Sequence, residues 1–444
     1  MKRTIVASAL LVYCLGCGSE PPVAESVKRV EENDLTAMNE AAESYVKMVL
    51  ALGEHDADYV DAYYGPAEWR EEVRAEARPL ESIAGDGAAL LETLRGVRVG
   101  DDEMSRLRYR YLSRQLESLL ARIEMIRGEV MSFDEESKRL YDAVAPHHSE
   151  EHYDAILADL EAELPGEGTL ADRFSKFRNR FVIPAEKLDA VFQTAIEACR
   201  DKTREKIDLP DDESFTVEYV NDKPWSGYNW YQGSYQSLIQ VNTDLPIFID
   251  RAIDLASHEG YPGHHVYNVL LEKNLMRERG WMEFSVYPLF SPQSLIAEGS
   301  ANFGIEVAFP SDERIAFEQE TLFPLAGLDP DEAGRYYRVL ELTSRLSYAG
   351  NEAARRYLDG EIDGEAAAAW LTRYTLMEPD RAAQRVRFID KYRAYVINYN
   401  LGKDLVRDHV EALGGTTDNP ERRWEVFEGL LSSPRLPSGL AGGK

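Results

Sequence analysis

The chain has 444 residues, of which 79 are acidic and 50 basic, so its formal net charge is −29. This excess argues against a nucleic-acid-binding protein, because phosphates demand basic patches, and against adsorption to an anionic membrane surface. With 44% hydrophobic and 29% charged residues, the composition is that of a globular protein with ample core.

The start of the chain is typical of an export signal. Two basic residues are followed by an apolar run from Ile5 to Leu15 and by a Gly-Cys pair that resembles a lipoprotein cleavage box. We therefore expect residues 1–17 to be a signal peptide, Cys17 to be acylated and residues 18–33 to form a tether. This predicts a lipid-anchored protein of the cell envelope, on the outer-membrane side. A soluble secreted or periplasmic protein is the alternative.

Apolar residues recur with helical periodicity from residue 34 to about residue 207. The clearest helix runs from Asp101 to Gly128, and Ser149 and Pro184 begin two more. We assign residues 34–207 to an N-terminal helical region. Residues 208–435 are assigned to a catalytic region, whose last third is helical again.

Two strand candidates open the catalytic region. Phe215–Val220 alternates between polar and apolar residues, and Ser237–Asn242 is the second candidate, after an aromatic and glycine-rich stretch. The chain is therefore predicted to be mainly α, a large helical body with a small antiparallel β-sheet next to a metal-binding helix. An edge strand of that sheet could hold an extended peptide by backbone pairing. A structural hairpin without a ligand is the alternative.

The stretch from His258 to His265 reads His-Glu-Gly-Tyr-Pro-Gly-His-His and holds three of the eight histidines. Imidazoles clustered beside a carboxylate are typical of zinc, whose catalytic sites use about three protein ligands. In zinc proteases a second histidine follows the first by four residues, and the glutamate after the first acts as general base. The pattern predicts His258 as a metal ligand and Glu259 as the base.

The longer spacing leaves the second histidine ligand open. On an unbroken helix His264 would point away from His258. Pro262 and Gly263 prevent a regular helix from passing, so a bulge can return His264 to the position of a ligand. This arrangement is favoured, and in it His265 is a donor that either supports the metal ligands or faces the substrate. The alternative is that His265 is the ligand.

A third ligand is expected from a second helix. Ser291 is a candidate N-cap and Pro292 a candidate first helical residue, and the apolar residues that follow predict a buried helix. Glu298 in that helix is a buried carboxylate, which is costly unless it is paired or bound to metal. We predict one Zn²⁺ per chain, held by this glutamate and the two histidines. A salt bridge from Glu298 to an arginine is the alternative.

The last third contains a polar aromatic segment, Asn398–Gly402, which is predicted to end a helix near several arginines. A tyrosine hydroxyl or an arginine from such a segment could stabilise an oxyanion. Residues 436–444 contain three glycines and a proline and are predicted to be a flexible tail.

These motifs resemble the bacterial family known as domain of unknown function 885. The resemblance is carried by His-Glu-x-x-Pro-Gly-His-His and the Ala-Glu-Gly helix around Glu298, with flanking motifs at Tyr63–Pro66, Val241–Pro246 and Asn398–Gly402. It implies a gluzincin-like zinc metallopeptidase, whose third ligand is a glutamate on a second helix.

The resemblance also suggests residues that act on the substrate. Tyr399 is expected to donate to the oxyanion, with Tyr395 and Arg393 as rivals. Asn242, which lies in a flanking motif, and Arg393 are assigned to substrate binding together with His265.

The sequence therefore predicts a zinc-dependent hydrolase, a peptidase that cleaves short peptides. Glu259 would take a proton from the zinc-activated water and pass it to the leaving amine. One alternative is an amidase or carboxypeptidase acting on cell-wall or small peptides. Another is a non-catalytic lipoprotein that only binds metal. Glu259 favours an enzyme, because a structural metal site has no need of a carboxylate beside its first ligand.

Overall fold

A computed structural model describes the backbone of residues 22–223 and 225–440, and the side chains from residue 34 onward. The predicted signal peptide and the predicted acylation of Cys17 lie outside the described residues. Helices account for 68% of the chain and strands for 7%, which confirms the mainly helical prediction.

The helices of the body range from 4 to 32 residues in length. In chain order the α-helices are α1 Pro22–Gly53, α2 Ala67–Glu76, α3 Leu80–Arg95, α4 Glu103–Ile126, α5 Phe133–Tyr141, α6 Glu150–Glu163, α7 Leu170–Arg178, α8 Leu188–Lys206, α9 Asp250–Leu255, α10 His264–Leu270, α11 Pro292–Ala308, α12 Ser311–Phe317, α13 Phe323–Ala326, α14 Ala333–Ser344, α15 Ala349–Leu358, α16 Gly364–Tyr374, α17 Pro379–Tyr392, α18 Ile397–Ala412, α19 Pro420–Leu431 and α20 Pro437–Leu440. The helix α1 begins inside the segment that we assigned to the tether.

Within residues 22–223 and 225–440, five strands form two small sheets. They are β1 Val60–Tyr63, β2 Ser214–Val220, β3 Gly227–Gly233, β4 Gln236–Asn242 and β5 Val286–Pro288. Strands β1 and β5 pair with each other, and the second sheet has the order β2-β4-β3. The sequence pattern predicted β2 and β4 as strands but did not identify β3, whose glycines and aromatic residues lack a clear alternation.

The three-stranded sheet is mixed, which corrects the prediction of a purely antiparallel one. The tight turn between β3 and β4 makes that pair antiparallel, whereas β2 lies on the other side of β4 and runs parallel to it. The loop between β2 and β3 carries the chain past the end of β4. There the backbone N–H of Asn242 donates to the backbone carbonyl of Ser226. Strand β3 is therefore at an edge of the sheet.

Both major hydrophobic clusters draw residues from the two regions that the sequence analysis divided near residue 207. In one cluster Tyr111 and Phe192 pack with Phe303 and Phe427. The other brings helices α1 and α4 against the start of α11 and the start of α18. The catalytic region and the N-terminal helical region therefore share their cores.

The predicted flexible tail is wrong for residues 436–440. Leu436, Pro437 and Leu440 are buried, and the last of these is only 3% exposed. The amide of Ser438 also donates to Oδ2 of Asp142 at 3.0 Å. The two leucines provide enough apolar surface to hold this short segment against the body, and that effect outweighs its glycine and proline content. Residues 441–444 lie outside the described part.

No helix within residues 22–223 and 225–440 combines the length and the apolar character needed to cross a bilayer.

Candidate metal centre

The backbone around His258 and His264 is shaped by the Pro-Gly pair between them. Residues 256–260 form a single π-helical turn, the chain then breaks, and α10 begins at His264. The amide of Gly263 donates to the carbonyl of Ser257 at 2.9 Å. A Cβ atom at position 263 would lie 1.9 Å from the carbonyl oxygen of His258, so only glycine fits this turn.

This turn brings the two imidazoles together, with their ring planes nearly perpendicular. The Nε2 atoms of His258 and His264 are 3.2 Å apart. Oε2 of Glu298 lies 3.4 Å from Nε2 of His258 and 3.8 Å from Nε2 of His264. One ligand atom from each of the three residues lies within 4.8 Å of the others, so the group could hold a metal ion. Two imidazoles and one carboxylate are a donor set that suits zinc.

Only one of the two carboxylate oxygens of Glu298 has a hydrogen-bond partner among the described residues. Its Oε1 accepts a hydrogen bond from the Tyr395 hydroxyl at 2.7 Å. Its Oε2 is buried and has no hydrogen-bond partner in the described part of the chain. Buried polar atoms are rarely left in this state without a ligand or an ion. The atom without a partner is the one that faces both histidines.

The electrostatics of Glu298 and His264 favour the ligand forms, a carboxylate and a neutral imidazole. Burial would raise the pKa of Glu298, but His258, His264 and Tyr395 outweigh it and hold the pKa below its usual range. Burial lowers the pKa of His264 to about 4, so that imidazole is neutral at pH 7. Burial would also lower the pKa of His258, but the carboxylates of Glu298 and Glu259 outweigh it and raise the pKa.

Two glycines allow the helix that carries Glu298 to approach α18. A Cβ atom at Gly299 would lie 2.4 Å from the backbone of Gly402, and one at Gly402 would lie 2.7 Å from the carbonyl of Leu295. Larger residues at this crossing would separate the helices. The close contact places Tyr395, just before α18, within hydrogen-bond distance of Glu298. This explains the glycines in the Ala-Glu-Gly and Asn-Tyr-Asn-Leu-Gly motifs.

Glu259 lies beside the metal centre but is not one of its three candidate ligands. Its side chain is buried, yet its carboxylate accepts no hydrogen bond from any described residue. Burial, reinforced by Glu298, raises its pKa to about 7. A Cβ atom at Gly227, the first residue of β3, would lie 2.9 Å from Oε1 of Glu259. The carboxylate therefore faces the edge strand.

Tyr399 belongs to the first turn of α18, which corrects the prediction that the Asn398–Gly402 segment ends a helix. Its side chain is partly exposed, and its ring lies 5.7 Å from the ring of Tyr395. Burial, Glu298 and Glu259 hold the pKa of Tyr399 well above its usual value. Its hydroxyl therefore keeps its proton.

His265 does not face a substrate, contrary to our expectation. It is fully buried, its Nδ1 lies 2.8 Å from the Ser237 hydroxyl, and its Nε2 lies 2.8 Å from Oε2 of Glu213. Both ring nitrogens are thus used, which also excludes the alternative that His265 replaces His264 as a ligand in this structure. The contacts tie α10 to β4 and to the residue before β2.

Asn242 and Arg393, which we assigned to substrate binding, are engaged elsewhere. The side-chain amide of Asn242 donates to the backbone carbonyls of Lys223 and Trp225, and so holds the loop before β3. The Arg393 guanidinium donates to the buried carboxylate of Glu136 at 2.7 Å. The structure therefore does not support either assignment.

One acidic residue near the centre was not identified from the sequence. Asp61 lies in β1 and accepts a hydrogen bond from the Tyr228 hydroxyl. Burial, with added repulsion from Glu298 and Glu259, raises the pKa of Asp61 to about 7. The only sequence signal was its position just before the Tyr-Tyr-Gly-Pro motif.

The fold and site define a mainly helical protein with a two-histidine, one-glutamate centre beside a small sheet. Neither a family model nor a curated protein matches the chain, so the resemblance to domain of unknown function 885 is not confirmed. Solved structures that match include a candidate lipoprotein from Colwellia psychrerythraea, with 15% identity, a TM-score of 0.49 and coverage of 82% of this chain and 68% of that one.

Two further solved structures are similar at the same level. A candidate lipoprotein of unknown function from Shewanella oneidensis is 13% identical, with a TM-score of 0.44 and coverage of 81% of this chain and 72% of that one. Metallocarboxypeptidase 1 of Trypanosoma cruzi is 16% identical, with a TM-score of 0.46 and coverage of 91% of both chains. Because all three TM-scores are below 0.5, no function is assigned from them.

Proposed function

We propose that this chain is a zinc-dependent hydrolase that cleaves peptide bonds. The observation that carries the proposal is the buried Oε2 atom of Glu298, which has no hydrogen-bond partner among the described residues and faces the Nε2 atoms of His258 and His264. A buried carboxylate oxygen without a partner is costly, and a cation held by these three residues would remove that cost. The donor set is that of a catalytic zinc site with a position left for substrate or water.

The roles of the surrounding side chains follow from their positions. When bound, Zn²⁺ supplies Lewis acidity that lowers the pKa of water and polarises a carbonyl. Glu259, whose carboxylate has no hydrogen-bond partner among the described residues, takes the proton of the attacking water and delivers it to the leaving amine. The Tyr399 hydroxyl donates to the oxygen on which negative charge develops. Tyr395 holds Glu298 in place.

The edge strand supports a peptide as the substrate. Strand β3 has no ladder partner on its outer side in the part of the chain that the structure describes. Its first residue, Gly227, lies against the Glu259 carboxylate. An extended peptide that adds to this edge by backbone hydrogen bonds would therefore pass directly in front of the proposed base. Trp230, which is 42% exposed on the same strand, offers an apolar surface for a side chain.

The test is the Glu259→Gln variant, assayed for zinc content and for cleavage of a peptide library. We expect zinc to be retained and the rate to fall by about 10²–10⁴, because a positioned general base is removed. Glu278→Gln, an exposed glutamate further along the same segment, is the control and should behave as wild type. A Glu259→Gln variant with both zinc and full activity would refute the mechanism.

In a further variant, Tyr399→Phe, we expect a loss of roughly 10²–10³ in kcat.

We also propose that the enzyme is anchored in the cell envelope by a lipid on Cys17, as the N-terminal sequence pattern predicts. Replacement of Cys17 by Ala should release the protein into the soluble fraction or leave the signal peptide uncleaved. Unchanged membrane fractionation of that variant would exclude the anchor.

A further inference from the structure

We infer that Arg385 binds the C-terminal carboxylate of the substrate, so that the enzyme cleaves peptides close to a free C-terminus. This inference rests on the proposed peptidase function and adds a substrate class to it.

Arg385 is a mostly buried arginine without an acidic partner. Its guanidinium lies 4.4 Å from the ring centre of Phe388 and 5.9 Å from that of Tyr399. No hydrogen bond or ion pair joins it to any residue in 34–223 or 225–440. The fully buried arginines among the described residues are paired, as Arg108 is with Glu283. In a chain with a net charge of −29, a partly buried guanidinium without an acidic partner among the described residues is suited to a ligand anion.

The chemistry of the group matches a carboxylate. A guanidinium carries five N–H donors in a planar fork, which pair with the two oxygens of a carboxylate through parallel hydrogen bonds. The aromatic rings of Phe388 and Tyr399 restrict the fork, so that less conformational freedom is lost on binding. Lysine would supply the charge but not this geometry.

The position of Arg385 relative to the metal centre comes from Tyr399. The Arg385 guanidinium lies 5.9 Å from the centre of the Tyr399 ring, and that ring lies 5.7 Å from the ring of Tyr395. The Tyr395 hydroxyl in turn donates to Oε1 of Glu298 at 2.7 Å, so two tyrosines connect Arg385 to the metal centre. A carboxylate bound at Arg385 would hold the C-terminal end of a peptide beside the metal centre, with the negative end of the peptide toward α17.

The experiment compares N-acetyl-trialanine as the free acid with the same peptide as its C-terminal amide. Wild type should cleave the acid with a kcat/KM about 10–100-fold higher, the range expected from a charge-assisted pair of hydrogen bonds. Arg385→Gln should lose this preference because only the rate on the acid falls. Arg385→Lys should restore it in part. Arg387→Gln, which alters an exposed arginine on the same helix, should keep the wild-type preference.

Three outcomes overturn the inference. One is a wild type with no preference for the acid. Another is an Arg385→Gln variant that keeps the preference. The third is an equal loss on both peptides, with a lower melting temperature, which would make Arg385 a structural residue.

A binding measurement separates this inference from the proposed function. Calorimetry on the Glu259→Gln variant, with either form of the peptide, should show tighter binding of the acid, and the difference should vanish when Arg385→Gln is added. This result would support the carboxylate site even if wild type cleaved neither peptide, in which case the proposed function alone fails. Equal affinity for acid and amide would overturn the inference.

Discussion

The two carboxylate oxygens of Glu298 have different environments, and this difference defines the candidate centre. Oε1 is held by the Tyr395 hydroxyl, whereas Oε2 is left to face the two histidines. The Tyr395 hydrogen bond therefore fixes the rotation of the carboxylate that presents Oε2. Groups that orient a metal ligand in this way typically contribute 10–100-fold to metal affinity or activity.

Replacement of Tyr395 by Phe should weaken zinc binding by about 10–100-fold, because the carboxylate of Glu298 would lose its orienting donor. Titration against a chelator of known affinity measures the change. Tyr141→Phe is a matched control, since its ring lies 6.0 Å from that of Tyr395 and its buried hydroxyl has no partner in the described structure. Equal zinc affinity in wild type and Tyr395→Phe would show that packing alone orients Glu298.

Residue roles were predictable where local chain chemistry determines them. Pro262 and Gly263 lie between the two histidines, and their effect on the backbone predicted the return of His264 toward His258. The role of Arg393 was not predictable in this way, because its partner Glu136 lies 257 residues away. A sequence shows that an arginine carries charge, but it does not show which distant carboxylate neutralises that charge.

At the scale of elements, the crossing of α11 and α18 brings the ligand and the tyrosines together. The crossing depends on two glycines, Gly299 and Gly402, whose backbones leave no room for a side chain between them. The Gly-containing motifs were visible in the sequence, but the helices that they join are about a hundred residues apart. Their contact could not be predicted from either motif alone.

Replacement of Gly299 by Ala should lower the free energy of unfolding by about 1–3 kcal/mol or more, because the new Cβ would overlap the backbone of Gly402. The same shift should move Tyr395 away from Glu298 and weaken zinc binding. Denaturant unfolding and zinc titration measure the two effects.

The control for this variant is Gly429→Ala. Gly429 lies in α19 with no atom close to a Cβ at its position. Alanine there should be neutral or stabilise the helix by up to about 1 kcal/mol. If Gly299→Ala and Gly429→Ala behaved alike, the two helices would not be in close contact at Gly299.

The small sheet shows a second limit at this scale. The alternation of residues in β2 and β4 predicted two strands correctly, because alternation depends only on having one face buried. The same alternation fits parallel and antiparallel pairing equally well. Direction is set by the loop between β2 and β3, which Asn242 holds through two hydrogen bonds.

For the whole molecule, the division near residue 207 describes the change in sequence pattern but not the distribution of the core. Tyr45 and Leu116 from the N-terminal region share a cluster with Leu295 and Ile397 from the catalytic region. Helical periodicity reveals that a face is buried, but not which face it meets. The helical class was therefore predictable, whereas the packing of the helices was not.

The C-terminal segment is part of this shared core, and its contribution can be measured. Replacement of Leu440 by Ala should lower the free energy of unfolding by about 2–3 kcal/mol, since the side chain is only 3% exposed and leaves a cavity against the body. The control is Leu413→Ala, in which a leucine that is 46% exposed should change stability by at most about 0.5 kcal/mol. Urea unfolding of both variants measures the difference. If Leu440→Ala were as mild as its control, the segment would be the flexible tail that its glycines and proline predicted, and its burial would contribute nothing to folding.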